Sequence, residues 1–136
     1  MADLDRQRAL SAFLASTART PFAWGQDDCC LFLANWAIAL GYPDPAAHLR
    51  GRYATEIGCA RVLTREGGIS AVVADCARRA GLVVTDAPRL GDVGVVEAPT
   101  ANGVRAAGAI CLGQRWATRG DGIVVGARRV LQAWAL

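Results

Sequence analysis

At 136 residues, 53% apolar and 20% charged, the chain is long enough to bury the core of one domain, too short for two, and not disordered. The net charge is only +3, and all fifteen basic residues are arginines scattered along the chain. They form no stripe beyond the pairs Arg78-Arg79 and Arg128-Arg129, which speaks against a nucleic-acid partner. No apolar run approaches the roughly 20 residues of a membrane span.

The polar start, Met1 to Arg8, has no apolar signal-peptide core behind it, so synthesis in a cytoplasm is expected. Leu4 to Thr17 reads as a packing helix, with Leu10, Phe13, Leu14 and Thr17 along one side and Asp3 at its start. A turn-rich stretch follows, Pro21-Phe22-Ala23-Trp24-Gly25-Gln26-Asp27-Asp28, running directly into Cys29 and Cys30. Phe32, Leu33, Trp36, Ala37 and Leu40 then recur at helical spacing, with Gly41 and Pro43 ending the helix. A thiol at a helix start is favoured as thiolate by the helix dipole and by unpaired N–H groups, which can also receive an oxyanion.

Pro43-Asp44-Pro45 predicts a turn, and Ala46 to Leu49 one helical turn carrying His48. For His48 to meet Cys29, its loop must fold back along a helix of roughly 18 Å. Thr55 and Glu56 open a third helix that stops at Gly67-Gly68, and Ile69 to Arg79 forms a fourth, closed by Gly81. From Leu82 onward the pattern changes to short β-branched runs: 82–84, 93–96, 104–112, 115–118, 123–125 and 130–134. Turn residues separate them. Helices first and an antiparallel sheet second predict a single α+β domain over residues 1–136.

The five cysteines, Cys29, Cys30, Cys59, Cys76 and Cys111, have no regular spacing. Reduced thiols are expected, with Cys59 and Cys76 in the core. Zinc is not expected, because four ligands would have to be collected from distant positions. No cofactor is implied. A redox or acyl-handling use of the Cys29-Cys30 pair is disfavoured by the strain of a disulfide between neighbours.

Trp24-Gly25, Asp28-Cys29 and Phe32 together resemble the nucleophile segment of the NlpC/P60 family of papain-like cysteine peptidases and amidases. Leu90-Gly91-Asp92-Val93 with Val95-Val96 is similar to that family's Gly-Asp strand, and Ala109 to Gly113 to the strand after it. The spacing from Pro21 to Cys29 is most similar to a small branch found beside tail genes of phages, prophages and gene transfer agents. The resemblance implies a papain-like core with Cys29 as nucleophile, Asp28 setting the local charge, and Trp24, Gly25, Phe32, Gly91 and Asp92 as motif positions.

Three positions depart from the family pattern. The general base is a histidine where this chain has Ala106 or Ala107, a tyrosine is replaced by Phe22, and a serine by Cys30. The expectation is therefore a catalytically degenerate tail-tip component, made in a bacterial cytoplasm and incorporated into a virion or virion-like particle. Its partners would be tail-tip or baseplate proteins and peptidoglycan, with Trp116 as the interface candidate and Trp24 and Trp134 more readily read as core. The alternative is an active hydrolase of peptidoglycan peptide bonds, using Cys29 with a base from His48 or a partner chain.

Overall fold

The computed structural model describes residues 3–136. Four helices come first, α1 (Asp3–Arg19), α2 (Phe32–Ala39), α3 (Glu56–Arg65) and α4 (Ile69–Arg79). Six strands follow, β1 (Val83–Thr85), β2 (Val93–Thr100), β3 (Gly103–Cys111), β4 (Trp116–Arg119), β5 (Ile123–Gly126) and β6 (Val130–Ala135). The molecule is thus α+β, as its sequence predicts. No helix among the described residues is long and apolar enough to cross a membrane.

Helix α2 is apolar on nearly all sides and is accordingly the buried one, with Phe32 and Trp36 fully covered. Phe13 of α1 packs on both, at centroid distances of 5.7 and 5.4 Å. Gly41 ends the helix at φ +97°, where the Gly41 N–H donates to Ile38 O and the Tyr42 N–H to Ala37 O. Thr55 caps α3, its hydroxyl accepting from the Gly58 N–H at 3.0 Å.

All strand pairs are antiparallel, in the order β1-β6-β2-β3-β4-β5. Strand β2 continues through Pro99 into a tight turn, with Thr100 paired to Gly103, so the hairpin is longer than the turn residues suggest. Only three residues join β5 to β6, although three strands lie between them. Four residue steps reach at most about 14 Å, whereas four strand spacings in a flat sheet cover about 19 Å. The sheet must therefore curl.

The curl gives the sheet two buried faces. Val93, Val95, Ile110, Ala117 and Trp134 meet α1, α2 and α4 in the main core. Val96, Ala109, Cys111, Trp116 and Ala133 form a second, smaller core on the opposite face. There the Trp116 ring lies over Gly94, where a Cβ would sit 3.1 Å from it. Trp116 is 4% exposed. The expectation that it marks an interface is thereby corrected: it fills the inside of the curl, and Trp134 belongs to the helix-facing core.

Candidate functional site

The site is built on the segment from Thr20 to Leu31. Gly25 turns the chain at φ +82°, and a Cβ there would fall 2.2 Å from the Tyr53 carbonyl oxygen, so no other residue fits. Asp28 is completely buried. Its Oδ1 accepts from the N–H groups of Cys30 and Leu31, both at 2.9 Å. Its Oδ2 accepts from the Gly25 N–H and the Tyr53 hydroxyl, both at 2.8 Å. Its carbonyl accepts from Phe32 N–H at 3.0 Å. Asp28 thus caps the turn leading into α2.

This placement corrects the role given to Asp28. With four donors on its carboxylate it is a positioning residue that fixes the loop, and it has no oxygen directed at a substrate. It also changes the oxyanion argument. Cys29 stands in the turn just ahead of α2, and the N–H groups of Cys30, Leu31 and Phe32 are all engaged by Asp28. Cys29's own N–H, which faces its sulfur, remains.

Cys29 and Cys30 open into a narrow cleft of about 60 Å³, walled by Leu63 and Ile69 on the helical side and by Arg105 to Gly108 of β3. Gly108 allows this approach, since a Cβ would lie 3.1 Å from Leu33 and 3.7 Å from the Cys29 carbonyl. The Cys29 thiol is held below its ordinary pKa by the neighbouring Cys30 thiol and then by the Arg105 guanidinium, against burial and the Asp28 charge. The Cys30 thiol, in contact with the Cys29 and Cys59 thiols and buried, is pushed up. Cys30 Sγ lies 3.7 Å from Cys59 Sγ, and Cys59 is lowered by the same contact. Burial, then the bond to Asp28, raises the Tyr53 hydroxyl.

The structure does not bring His48 to this cleft. His48 faces α4, with Nε2 3.7 Å from Asp75 Oδ2, in a separate hollow shared with Glu66 and Arg79. The loop carrying it does fold back onto the Cys29 segment, where Arg50 donates to Asp44, Asn35 and the Gln26 carbonyl, but it does so with the His48 ring turned to α4. The expectation of His48 as base is corrected on these grounds. Gly91 and Asp92 lie apart from the cleft and hold the sheet to the helices. Trp36 Nε1 donates to Gly91 O at 2.8 Å, while Asp92 accepts from Arg6, the Arg89 N–H and the Leu136 N–H.

Trp24 is half-buried and meets Phe22 edge-on at 4.8 Å. The Arg119 guanidinium lies over the other ring, 5.5 Å from the Phe22 centroid. Arg119 is fully buried and donates to Asp27, Thr20 O, Gly120 O and Asp121 O, tying the loop to the β4–β5 turn. Arg119, Tyr53 and Cys59 were not legible in the sequence as parts of this site, because each arrives from a distant element without a local motif. Gly108 could have been found, since a glycine inside a strand pattern marks a close approach.

Asp28, Cys29 and Cys30 each offer a ligand atom, all within 4.8 Å of one another. The carboxylate is already saturated, which leaves two adjacent thiols and does not fit a tetrahedral zinc centre. No curated protein and no solved structure matches the chain. A family model described as "Domain of unknown function (DUF6950)" matches residues 2–136, and the chain belongs to that family.

Proposed function

We propose that the protein is a catalytically degenerate papain-like domain of the NlpC/P60 type, acting in the structure or cell-wall engagement of a phage-like tail tip. One observation carries the loss of catalysis. The β3 wall facing Cys29 consists of Arg105, Ala106, Ala107 and Gly108, and none of these can take a proton from the thiol and return it to a leaving amine at neutral pH. The tail association rests on the resemblance around Cys29 alone. Its partners would be neighbouring tail-tip proteins and peptidoglycan, reached after assembly into the particle.

The test is digestion of purified peptidoglycan, with new amino groups quantified. The expected result is no release by wild type above that of Cys29→Ala, together with co-sedimentation of both proteins with the wall material. Cleavage by wild type that is absent from Cys29→Ala would overturn the reading.

A second reading, an active cysteine hydrolase, is favoured by one feature: Cys29 is held towards its thiolate by Cys30 and Arg105. Its base would have to come from a partner chain, since His48 is committed to the Asp75 side. Adding tail-tip partners to the digestion separates the two readings.

A further inference from the structure

The five thiols are not spread evenly. Cys111 belongs to the opposite core and Cys76 packs at the edge of the apolar cluster that holds Cys30 and Cys59, whereas Cys59 of α3 is brought to the adjacent pair Cys29-Cys30, with 3.7 Å between the Cys30 and Cys59 sulfurs. Cys30 is thus between two other thiols. The strain that makes a disulfide of neighbouring residues unfavourable does not apply to Cys30 and Cys59, which lie 29 positions apart. Their sulfurs are already 3.7 Å apart, against a bonded distance of about 2 Å. Cys29 borders the open cleft beside a cation, whereas Cys59 is 3% exposed, so a small oxidant reaches Cys29 first.

We propose that Cys29, Cys30 and Cys59 form a thiol relay in which a peroxide oxidises Cys29 and the oxidising equivalents end as a disulfide between Cys30 and Cys59. The Cys29 thiolate attacks one peroxide oxygen, the O–O bond breaks, hydroxide leaves, and Cys29 becomes a sulfenic acid. The Cys30 sulfur then attacks the Cys29 sulfur. The S–O bond breaks, and the oxygen leaves as water with the Cys30 proton. The Cys59 sulfur attacks Cys30, the strained Cys29–Cys30 bond breaks, and Cys29 departs as thiolate. The proton released by Cys59 neutralises the hydroxide. Hydrogen peroxide has then oxidised two thiols to one disulfide and become two waters.

Arg105 has a place in the first step, where its charge faces the thiolate and the departing hydroxide. The product joins the Asp28–Leu31 turn covalently to α3 and returns Cys29 free. This relay is independent of peptidoglycan chemistry and of any tail assembly.

The experiment treats the full chain with one equivalent of hydrogen peroxide, blocks the remaining thiols with N-ethylmaleimide, and maps peptides by fragmentation. Cleavage after arginine leaves Cys29 and Cys30 on one peptide and Cys59 on another, so the cross-link is visible as a joined pair. The expected result is loss of two of the five thiols, a Cys30–Cys59 cross-link, and Cys29 still alkylated. Cys30→Ser should give no cross-link and leave a Cys29 sulfenic acid that dimedone captures. Cys59→Ala should stop at the Cys29–Cys30 disulfide, reduced by dithiothreitol faster than the native product. Near-ultraviolet circular dichroism identifies any variant that has lost its fold, and Cys76→Ser should behave as wild type. All five thiols surviving one equivalent of peroxide, or Cys29→Ser forming the Cys30–Cys59 bond at the native rate, would overturn the relay.

Discussion

Asp28 takes four hydrogen bonds on two oxygens with no contact to water, so the chemistry of its side chain can be tested one oxygen at a time. Asp28→Asn keeps Oδ1 as acceptor for Cys30 and Leu31 but turns an amide donor towards the Gly25 N–H. A loss of about 2–3 kcal/mol is expected, because a buried N–H is left without an acceptor. Tyr53→Phe removes one donor and leaves the Gly25 bond intact, for which about 1 kcal/mol is expected. Urea unfolding of both variants checks the order, and a smaller loss for Asp28→Asn would remove the carboxylate from the centre of the loop. The thiols make a second test. Cys29 is lowered by Cys30 and Arg105, while burial raises Cys76 from 9.0 to about 11. Iodoacetamide should therefore modify Cys29 before Cys76 as pH rises. The Cys76 shift also sets a stability slope. Between pH 9 and about 11 the unfolded chain has lost this proton and the folded one has kept it, so stability falls across that window and the term is undiminished below it. Thermal melts of Cys76→Ala should show a shallower decline there than wild type. Of these residues, Cys29 was legible from its place between a turn and an apolar helix. Asp28 was legible only as a charge, since the hydroxyl that engages it comes from Tyr53.

The loop from Thr20 to Leu31 holds its shape through contacts with other elements, and these were the least legible part of the chain. The Tyr53 carbonyl, ahead of α3, lies close against Gly25, and a methyl group there meets both a positive φ and a 2.2 Å contact. Gly25→Ala should cost at least about 2–3 kcal/mol. Its loss of hydrogen-exchange protection should appear in both 20–31 and 50–55, because the two stretches are joined at Gly25 O and Gly51 N–H. Protection lost in only one of them would show that they open separately. The helices themselves were legible nearly to the residue: α4 is found as Ile69–Arg79, and α3 starts after its Thr55 cap. These limits follow from caps and glycines, which act over a few residues. The start of α2 was less so, because the carboxylate of Asp28 moves Cys29 and Cys30 into a capped turn ahead of the helix.

At the scale of the whole molecule, strand positions were legible and strand order was not. Short runs with β-branched and aromatic residues between turn signals mark the strands, but nothing local states that β6 returns beside β2 and curls the sheet. That curl is also why Trp116 reads as a free aromatic in sequence and is core in space: its pocket exists only when β2, β3, β4 and β6 are together. Trp116→Ala should cost about 3–5 kcal/mol, as for other buried aromatics, with a fall in the urea midpoint. A near-silent change would place the ring outside the stabilising core. Arg119 has a related dependence with a different outcome. The residues that hold the Cys29 loop from below, Asp27 and Thr20, are bound by a guanidinium 92 and 99 positions further along the chain. During synthesis the first helices can form before the rest of the chain, yet the Thr20–Asp27 part of the loop lacks its anchor until Arg119 of β4 has been made. The Cys29 thiol likewise meets its cation, Arg105, only once β3 has been made, so the finished site belongs to the completed fold.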